Sequence, residues 1–252
     1  PEQSATSLCD AAALRLLKEL GWSPGTIDAL VYVTQTPETS VPASAYALHH
    51  RLGLLPSCPA IEVNWSCAGY VYGLWLAMRL AQATEGEQRR VLLVVGDTSS
   101  RIVDPADRAT APLFGDAGSA TMIVGGVGNT EFVLGTDGAD NETLSQPVGD
   151  KFLRMDGAAV FNFTLRKVPG LVEDVLDIAP SPDYLLFHQA NAYMLKHLAK
   201  KCGLIDRFAP SQLPSNIERF GNCSCVSIPL LLCDMVGNSA HASRLALFGY
   251  GA

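Results

Sequence analysis

The segment Ala60-Ile61-Glu62-Val63-Asn64-Trp65-Ser66-Cys67-Ala68-Gly69 joins the end of one predicted strand to the beginning of one predicted helix. Residues 61–64 have the short apolar pattern of a strand, and the long apolar run at 70–83 predicts a helix. The thiol of Cys67, between the two, meets the positive end of the helix dipole and several unpaired backbone N–H groups. Both effects favour the thiolate, which is the reactive form of cysteine. The segment therefore predicts an α/β unit with a candidate nucleophile at its strand-to-helix turn.

Strands and helices alternate along the rest of the chain in the same way. Further apolar strands are predicted at residues 28–34, 90–96, 119–124, 131–135, 182–187 and 244–248. Further helices are predicted at 4–20, 41–51, 157–178, 191–202 and 223–236, the third of them interrupted at Pro169-Gly170. The strand at 90–96 is apolar on both faces, which is typical of a strand inside a sheet that helices cover on both sides. The second part of the chain repeats the plan of the first, so we expect two α/β halves, 1–136 and 137–252, packed as one body.

The composition of the 252 residues argues against several classes of protein. Hydrophobic residues make up 48% and charged residues 17%, so a large buried core is expected and disorder is not. The formal net charge of −7 argues against a nucleic-acid binder, which would need a basic face. The apolar runs are too short to span a membrane, and the first residues lack the design of a signal peptide. The seven cysteines are irregularly spaced, so we expect no disulfide framework, no metal site and a reducing cytoplasm.

Three short segments at strand ends or helix starts carry chemically active side chains, and such positions are where α/β folds form active sites. They supply the thiol of Cys67, the imidazole of His188 in segment 187–191 and the carboxamide of Asn222 in segment 219–224. Each has a structural alternative. Cys67 can be an ordinary buried cysteine, His188 a hydrogen-bonded structural histidine, and Asn222 a turn residue or a helix cap. Segment 115–118 resembles a phosphate loop only superficially, and tight backbone packing is the favoured interpretation.

Five motifs in this order resemble the β-ketoacyl-acyl-carrier-protein synthase III family of the thiolase superfamily. The matching residues are Cys67-Ala68-Gly69, Asp104-Pro105-Ala106-Asp107-Arg108, Leu113-Phe114-Gly115-Asp116-Ala117-Gly118, His188-Gln189-Ala190-Asn191 and Gly221-Asn222-Cys223-Ser224. The resemblance covers nearly the whole chain. It implies an α/β, thiolase-like fold, in which two similar α/β halves form a five-layer αβαβα arrangement. Relative to the family, the chain is expected to be truncated at both termini, where members have a further strand each.

The resemblance implies an enzyme of the acyltransferase class, acting in fatty acid or polyketide-type biosynthesis. Cys67 would take the acyl group from an acyl-CoA, and malonyl-acyl-carrier protein would then bind. His188 and Asn222 would donate hydrogen bonds to its thioester oxygen as CO₂ leaves, and the carbanion would attack the acyl-cysteine. The backbone N–H groups of Cys67 and Tyr250 would form a second oxyanion hole. No metal and no cofactor are implied, because acyl-CoA and malonyl-acyl-carrier protein are substrates.

The resemblance also implies binding residues outside the catalytic set. Arg108 matches a residue that lies against the CoA adenine, and Lys200 and Lys201 match a basic patch for the acyl carrier protein. A surface ion pair and a solvated helix end are their respective alternatives. Tyr193 stands where well-studied members have an arginine that contacts the carrier protein. Val41 matches a phenylalanine of acetyl-specific members that caps the acyl pocket across a dimer interface, so we expect primers longer than acetyl; plain interface packing is the alternative.

A homodimer is expected, because family members continue a sheet across their interface, and residues 90–95 are the strand expected to do so. Two rival functions stay open at the level of sequence. One is an acyltransferase that uses the same acyl-cysteine without decarboxylation. The other is a non-catalytic partner subunit of a synthase, although such subunits usually lose the nucleophile. The sequence leaves the primer and the pathway open.

Overall fold

The structure is a computed structural model that describes residues 3–82, 88–126, 130–236 and 244–251. Packing divides the chain into two compact units. The first unit contains residues 1–98 and 116–131, and the second contains residues 99–115 and 132–252. These units are defined by packing, whereas the predicted halves 1–136 and 137–252 are defined by a pattern of strands and helices that repeats along the sequence. The two halves therefore stay a prediction.

Helices and strands alternate in the described residues of both units. The first unit contains α1 (Ala5–Leu20), β1 (Ala29–Val33), α2 (Ser44–Arg51), β2 (Ala60–Val63), α3 (Gly69–Ala81), β3 (Arg90–Thr98) and β4 (Asp116–Val124). The second unit contains β5 (Leu144–Ser145), β6 (Arg154–Met155), α4 (Gly157–Ile178), β7 (Tyr184–Phe187), α5 (Ala192–Lys201), α6 (Leu204–Arg207), α7 (Ile217–Phe220), α8 (Ser227–Val236) and β8 (Leu245–Phe248).

Side-chain caps fix the beginnings of the long helices. Ser4 accepts the N–H of Ser7 at the start of α1, and Asn191 accepts the N–H of Met194 at the start of α5. Each bond satisfies a backbone donor that the first turn of a helix leaves without an intrahelical partner. α1 ends at Gly21, whose left-handed backbone (φ 66°) lets its N–H turn back to the last carbonyls of the helix. The predicted ends of both helices are confirmed to within one residue.

The first unit is built on a four-stranded sheet with the order β2-β1-β3-β4. β1 is parallel to β2 and β3, with Val31 opposite both Ile61 and Leu93, and β4 is antiparallel to β3. Because three neighbouring strands are parallel, their carboxyl ends meet at one edge of the sheet. The connections that follow these strands therefore begin close together, as in other α/β folds with functional loops at that edge.

Helices cover both faces of this sheet. α1 and α2 pack on one face, and the core there includes Cys9, Ala13, Leu17, Leu30, Tyr32, Leu48, Leu92 and Val94. α3 packs closely on the opposite face, because an added Cβ at Gly73 would lie 2.8 Å from Leu93 and 3.0 Å from Val33. β3 is buried from its second residue to its last. This confirms the prediction that the strand at 90–96 lies inside a sheet with helices on both sides.

The second unit has a parallel pair of strands, β7 and β8, with Phe187 opposite Phe248 and their rings stacked at a centroid distance of 4.4 Å. A separate short antiparallel pair is formed by β5 and β6. Helices α4, α5 and α6 share one apolar core with β7 and β8. The buried members of that core are Val168, Val172, Leu176, Leu185, Phe187, Met194, Leu198, Leu204, Ala246, Phe248 and Tyr250.

Three predictions of secondary structure were wrong. Residues 131–135 do not form a strand, and a short apolar run does not by itself specify one. The helix predicted from Val41 begins at Ser44, whose hydroxyl accepts the N–H groups of Glu38 and Thr39 and holds the chain before it in a turn. α4 continues through Pro169 without a break, because the buried stripe that contains Phe163, Val168 and Val172 anchors the helix on both sides of the proline.

The strand expected to pair across a dimer interface was also assigned wrongly. β3, which contains residues 90–95, lies between β1 and β4 and is hydrogen-bonded on both sides. An inner strand has no edge left for a second chain. Among the strands of the described residues, β2 and β4 are the outer ones.

Candidate active site

Cys67 lies in a tight turn between β2 and α3. Ser66–Ala68 form one turn of 3-10 helix directly before α3, so the buried thiol stands at the amino end of that helix, as predicted. Ser66 has a left-handed backbone with φ 47°, which is uncommon for a residue other than glycine. The N–H of Ser66 donates to Asn64 Oδ1 at 3.3 Å, and its hydroxyl oxygen lies 3.9 Å from the sulfur of Cys67.

A glutamine side chain and a buried carboxylate support this turn, and neither was predicted from the sequence. The Ser66 hydroxyl donates to Gln35 Oε1 at 2.9 Å, and the Gln35 N–H donates to Asp97 Oδ1 at 2.8 Å. The hydroxyls of Thr34 and Thr36 donate to the same Asp97 oxygen at 3.2 and 3.4 Å. Gln35 is 31 positions from Ser66 and 62 from Asp97, so no local motif signals the connection.

His188 directly follows β7 and is fixed by the strand beside it. The backbone N–H of His188 donates to the carbonyl of Phe248 at 2.9 Å, and the backbone carbonyl of His188 accepts the hydroxyl of Tyr250 at 3.3 Å. The Tyr250 ring meets the imidazole edge-on, with the ring centroids 5.5 Å apart. The two hydrogen bonds hold the backbone of His188, and the Tyr250 ring holds its imidazole.

The imidazole of His188 is neutral at physiological pH. Burial lowers its pKa to about 4, and a hydrogen bond with the Ser224 backbone opposes the shift only partly. Among the described residues, none forms a hydrogen bond with the buried Nδ1 of this ring. Buried polar atoms usually have a partner. The uncharged imidazole is therefore suited to form a hydrogen bond with a bound group.

Asn222 lies in a loop that pairs with segment 113–115 through its backbone. Its N–H donates to the Leu113 carbonyl at 2.8 Å, and the Gly115 N–H donates to its carbonyl at 3.0 Å. A Cβ on Gly115 would lie 2.1 Å from the carbonyl oxygen of Phe220, so only glycine permits this approach. The interpretation of the Gly115 segment as tight backbone packing is confirmed.

The side chain of Asn222 forms the same kind of turn as Asn64. Its Oδ1 accepts the N–H of Ser224 at 2.9 Å, and Ser224 has a left-handed backbone with φ 50°. Ser224–Val226 form a 3-10 turn before α8, as Ser66–Ala68 do before α3. Because the amide oxygen is already bonded, the Nδ2 group is what Asn222 can offer to a ligand.

The second unit thus brings three predicted site residues together, namely His188, Asn222 and Tyr250. Ser224 contacts both His188 and Asn222 through its backbone, and the sequence analysis did not single it out. Its left-handed backbone leaves no mark in the sequence, because serine is not a typical residue for that conformation. Cys67 belongs to the first unit, where Ser66 precedes it and Gln35 accepts the hydroxyl of Ser66.

The residues predicted to bind CoA or the carrier protein occupy exposed positions. Arg108 lies in a turn of the second unit, and Tyr193, Lys200 and Lys201 lie on α5. The Tyr193 ring contacts the His197 ring at a centroid distance of 4.1 Å, with the two planes tilted by 38°. Val41, in the first unit, is 87% exposed in the single chain. The roles of these residues stay predictions.

None of the seven cysteines, all of which lie in the described residues, forms a disulfide bond. Burial raises the pKa of Cys58 and of Cys202 to about 11, so these two are poor nucleophiles at neutral pH. Within the ranges that the structure describes, no cluster of three or more His, Cys, Asp or Glu side chains is arranged to hold a metal ion. None of the helices in those ranges is both long enough and apolar enough to cross a membrane.

Comparisons with known proteins agree with this geometry. A family model for 3-oxoacyl-[acyl-carrier-protein] synthase III matches residues 61–138, and the model for the C-terminal part of that synthase matches residues 180–252. A β-ketoacyl-[acyl-carrier-protein] synthase III of Streptococcus pneumoniae is 31% identical over 93% of this chain and 76% of its own length. A crystal structure of a 3-oxoacyl-(acyl-carrier protein) synthase of Burkholderia xenovorans superimposes with a TM-score of 0.91 and 42% identity, covering 100% of this chain and 77% of that one. The synthase III of Pseudomonas aeruginosa superimposes with a TM-score of 0.87 and 32% identity, covering 100% of this chain and 80% of that one.

Proposed function

Because the chain belongs to the 3-oxoacyl-[acyl-carrier-protein] synthase III family, whose fold is thiolase-like, we propose that it condenses an acyl-CoA with malonyl-acyl-carrier protein. The products would be a β-ketoacyl thioester, CO₂ and free CoA. The observation that carries this proposal is that the backbone of Ser224 contacts both the neutral, buried His188 and the side chain of Asn222. An uncharged imidazole and an amide are suited to binding a developing oxyanion, and no cofactor enters the reaction.

In the first half-reaction, the thiolate of Cys67 attacks the carbonyl carbon of the acyl-CoA. The bond from carbon to the CoA sulfur then breaks, and the CoA leaves as a thiol with the proton that Cys67 gave up. The position of Cys67 at the start of α3 supports this role, because the helix dipole and backbone N–H groups stabilise the thiolate. The backbone N–H groups of Cys67 and Tyr250 are proposed to bind the oxygen of the tetrahedral intermediate.

In the second half-reaction, malonyl-acyl-carrier protein binds with its thioester oxygen at His188 and Asn222. The carbon–carbon bond to the carboxylate breaks, CO₂ leaves, and the electron pair passes into the thioester, whose oxygen becomes negative. The resulting carbanion attacks the acyl-cysteine carbonyl and releases the Cys67 thiolate. The Asn222 Nδ2 is proposed as one donor to the enolate oxygen, because the Oδ1 of that residue is held by Ser224.

Substrate binding is proposed for the exposed residues named above. Arg108 would contact the adenine of CoA, and Lys200 and Lys201, with Tyr193 on the same helix, would contact the acidic carrier protein. Val41 would line the acyl pocket from a partner subunit in a homodimer. A valine leaves more room than a phenylalanine there, so the proposed primers are longer than acetyl. The proposed place of reaction is a reducing cytoplasm.

Labelled acyl-CoA and mass spectrometry of the Cys67 peptide test the first half-reaction. We expect an acyl adduct on the wild type and none on Cys67→Ser. The His188→Gln and Asn222→Ala variants should keep the adduct but release CO₂ from malonyl-acyl-carrier protein about 10²–10³ times more slowly, as for the loss of an oxyanion donor.

Val41→Phe should narrow the range of accepted primers towards acetyl.

Two results would replace this proposal with a rival function. An acyl adduct that is passed to an acceptor without CO₂ release from malonyl-acyl-carrier protein identifies an acyltransferase. The absence of any adduct on the wild type, with all cysteines reduced, identifies a non-catalytic subunit.

A further inference from the structure

We propose that Gln35 is a positioning residue for Cys67 and that it acts through Ser66. The proposal rests on the proposed role of Cys67 as the nucleophile. A continuous series of contacts supports it. Asp97 accepts the backbone N–H of Gln35 at 2.8 Å, Gln35 Oε1 accepts the hydroxyl of Ser66 at 2.9 Å, and Ser66 directly precedes the nucleophile.

Ser66 needs such support because its backbone is strained. A left-handed φ of 47° is unfavourable for a residue with a Cβ. The hydrogen bond within its own turn, from the Ser66 N–H to the exposed Asn64, is 3.3 Å long. Ser224 has nearly the same backbone, but it is fully buried and its corresponding bond to Asn222 is 2.9 Å long. The turn at Cys67 therefore depends more on a contact from outside the turn.

Gln35 can provide that contact because its own backbone cannot shift. Asp97 is fully buried and receives hydrogen bonds from Gln35 and from the hydroxyls of Thr34 and Thr36. These bonds fix the segment after β1, and the Gln35 side chain reaches from it to the Ser66 hydroxyl after β2. A hydroxyl has one proton, and Ser66 places it on Gln35 at 2.9 Å rather than on the Cys67 sulfur at 3.9 Å. Ser66 therefore acts on Cys67 through the position of the backbone.

The test is the rate at which iodoacetamide alkylates Cys67 in the full chain, followed by peptide mass spectrometry. Gln35→Met keeps the size of the side chain and removes the acceptor. We expect it to slow the alkylation of Cys67 about fivefold to tenfold, as for the loss of one hydrogen bond. The exposed Cys233 of the same molecule is the internal control, and its rate should not change.

The serine itself supplies the decisive comparison. Ser66→Ala keeps the strained backbone and lacks the hydroxyl, so it should be as slow as Gln35→Met. Ser66→Gly adopts the left-handed backbone without support. In the Ser66→Gly background, Gln35→Met should therefore change the rate of Cys67 less than about twofold.

An unchanged rate in Gln35→Met, or an equal loss in the wild-type and Ser66→Gly backgrounds, would overturn the positioning role. If Gln35 had a purely structural role, Gln35→Met would lower the melting temperature, and its effect would not depend on whether residue 66 is serine or glycine. Since iodoacetamide needs no acyl-CoA, the experiment is separate from the proposed condensation. If the wild type forms no acyl adduct but the alkylation pattern holds, the proposed function fails and the role of Gln35 in positioning Cys67 stands.

Discussion

At the scale of single residues, burial sets the charge of the histidine after β7. The pKa of His188 is lowered from 6.5 to about 4 in the folded chain. Between these values the unfolded chain binds more protons than the folded one. The contribution of His188 to the free energy of unfolding therefore falls as the pH decreases from about 6.5 towards 4.

The contribution of His188 to this pH dependence can be measured by substitution. His188→Gln removes the titrating group, so between pH 6.5 and pH 5 its free energy of unfolding should fall by about 1.5 kcal/mol less than that of the wild type. Urea denaturation at the two pH values gives both numbers. The exposed His50→Gln variant is the control, and it should lose as much as the wild type. If the free energy of unfolding fell equally in His188→Gln and in the wild type, burial would not lower the pKa of this histidine.

The positions of single residues in the fold were predicted where a short motif marks them, whereas their roles stay predictions. Cys67, His188 and Asn222 each lie at a strand end or helix start that can be recognised from neighbouring residues, and the structure has them at such turns. Gln35 and Ser224 were missed for a physical reason. Gln35 acts over 31 positions of sequence, and Ser224 acts through a backbone conformation that its residue type does not reveal.

At the scale of elements, α4 shows how tertiary packing overrides local propensity. The sequence contains Pro169-Gly170, two residues that disfavour the interior of a helix, yet the helix extends from Gly157 to Ile178. Its buried stripe against β7, β8 and α5 provides the stability that the proline and glycine remove. The break predicted at this position was wrong because a sequence pattern does not include packing partners.

The glycine in this helix gives a prediction about stability. Gly170 is exposed, has a φ outside the left-handed region, and has no atom within 4 Å of an added Cβ. Gly170→Ala should therefore raise the free energy of unfolding by about 0.5–1 kcal/mol. Chemical denaturation measures the change. Gly157→Ala, at the first position of the same helix, is the matched control and should have a smaller effect. A destabilised Gly170→Ala would mean that the helix is not continuous here.

At the scale of the whole molecule, the order of the strands decides which surface a second copy can use. β3 is an inner strand, so a sheet that continues into a partner must use β2 or β4. Exposed apolar side chains lie near both edges, because α1, with Leu14 and Leu20, packs against β4. The more exposed ones are on the β2 side: Val41 is 87% exposed, and Tyr46, on α2 against β2, is 57% exposed, compared with 48% and 41% for the two leucines. We therefore expect the proposed homodimer to form through β2. Strand order could not be predicted, since it depends on pairing between distant segments.

Charge substitution at this surface tests the homodimer. Tyr46→Glu buries a charge at the expected interface, so it should convert the dimer to a monomer in sedimentation equilibrium. Leu14→Glu is the matched control, because Leu14 is a comparably exposed apolar residue, at 48%, on α1. It should remain dimeric. A monomeric wild type, or dissociation by Leu14→Glu alone, would contradict the expected interface.

The two turns that contain Asn64-Trp65-Ser66-Cys67 and Asn222-Cys223-Ser224-Cys225 have a consequence for protein engineering. Both have an asparagine oxygen bonded to the N–H two residues later, a left-handed serine and a helix that follows. One presents the sulfur of its fourth residue, and the other presents the amide of its first. The four-residue unit is thus a transferable connector between a strand and a helix of another α/β scaffold. With the same backbone conformation, a designer can place a reactive group at either its first or its fourth residue.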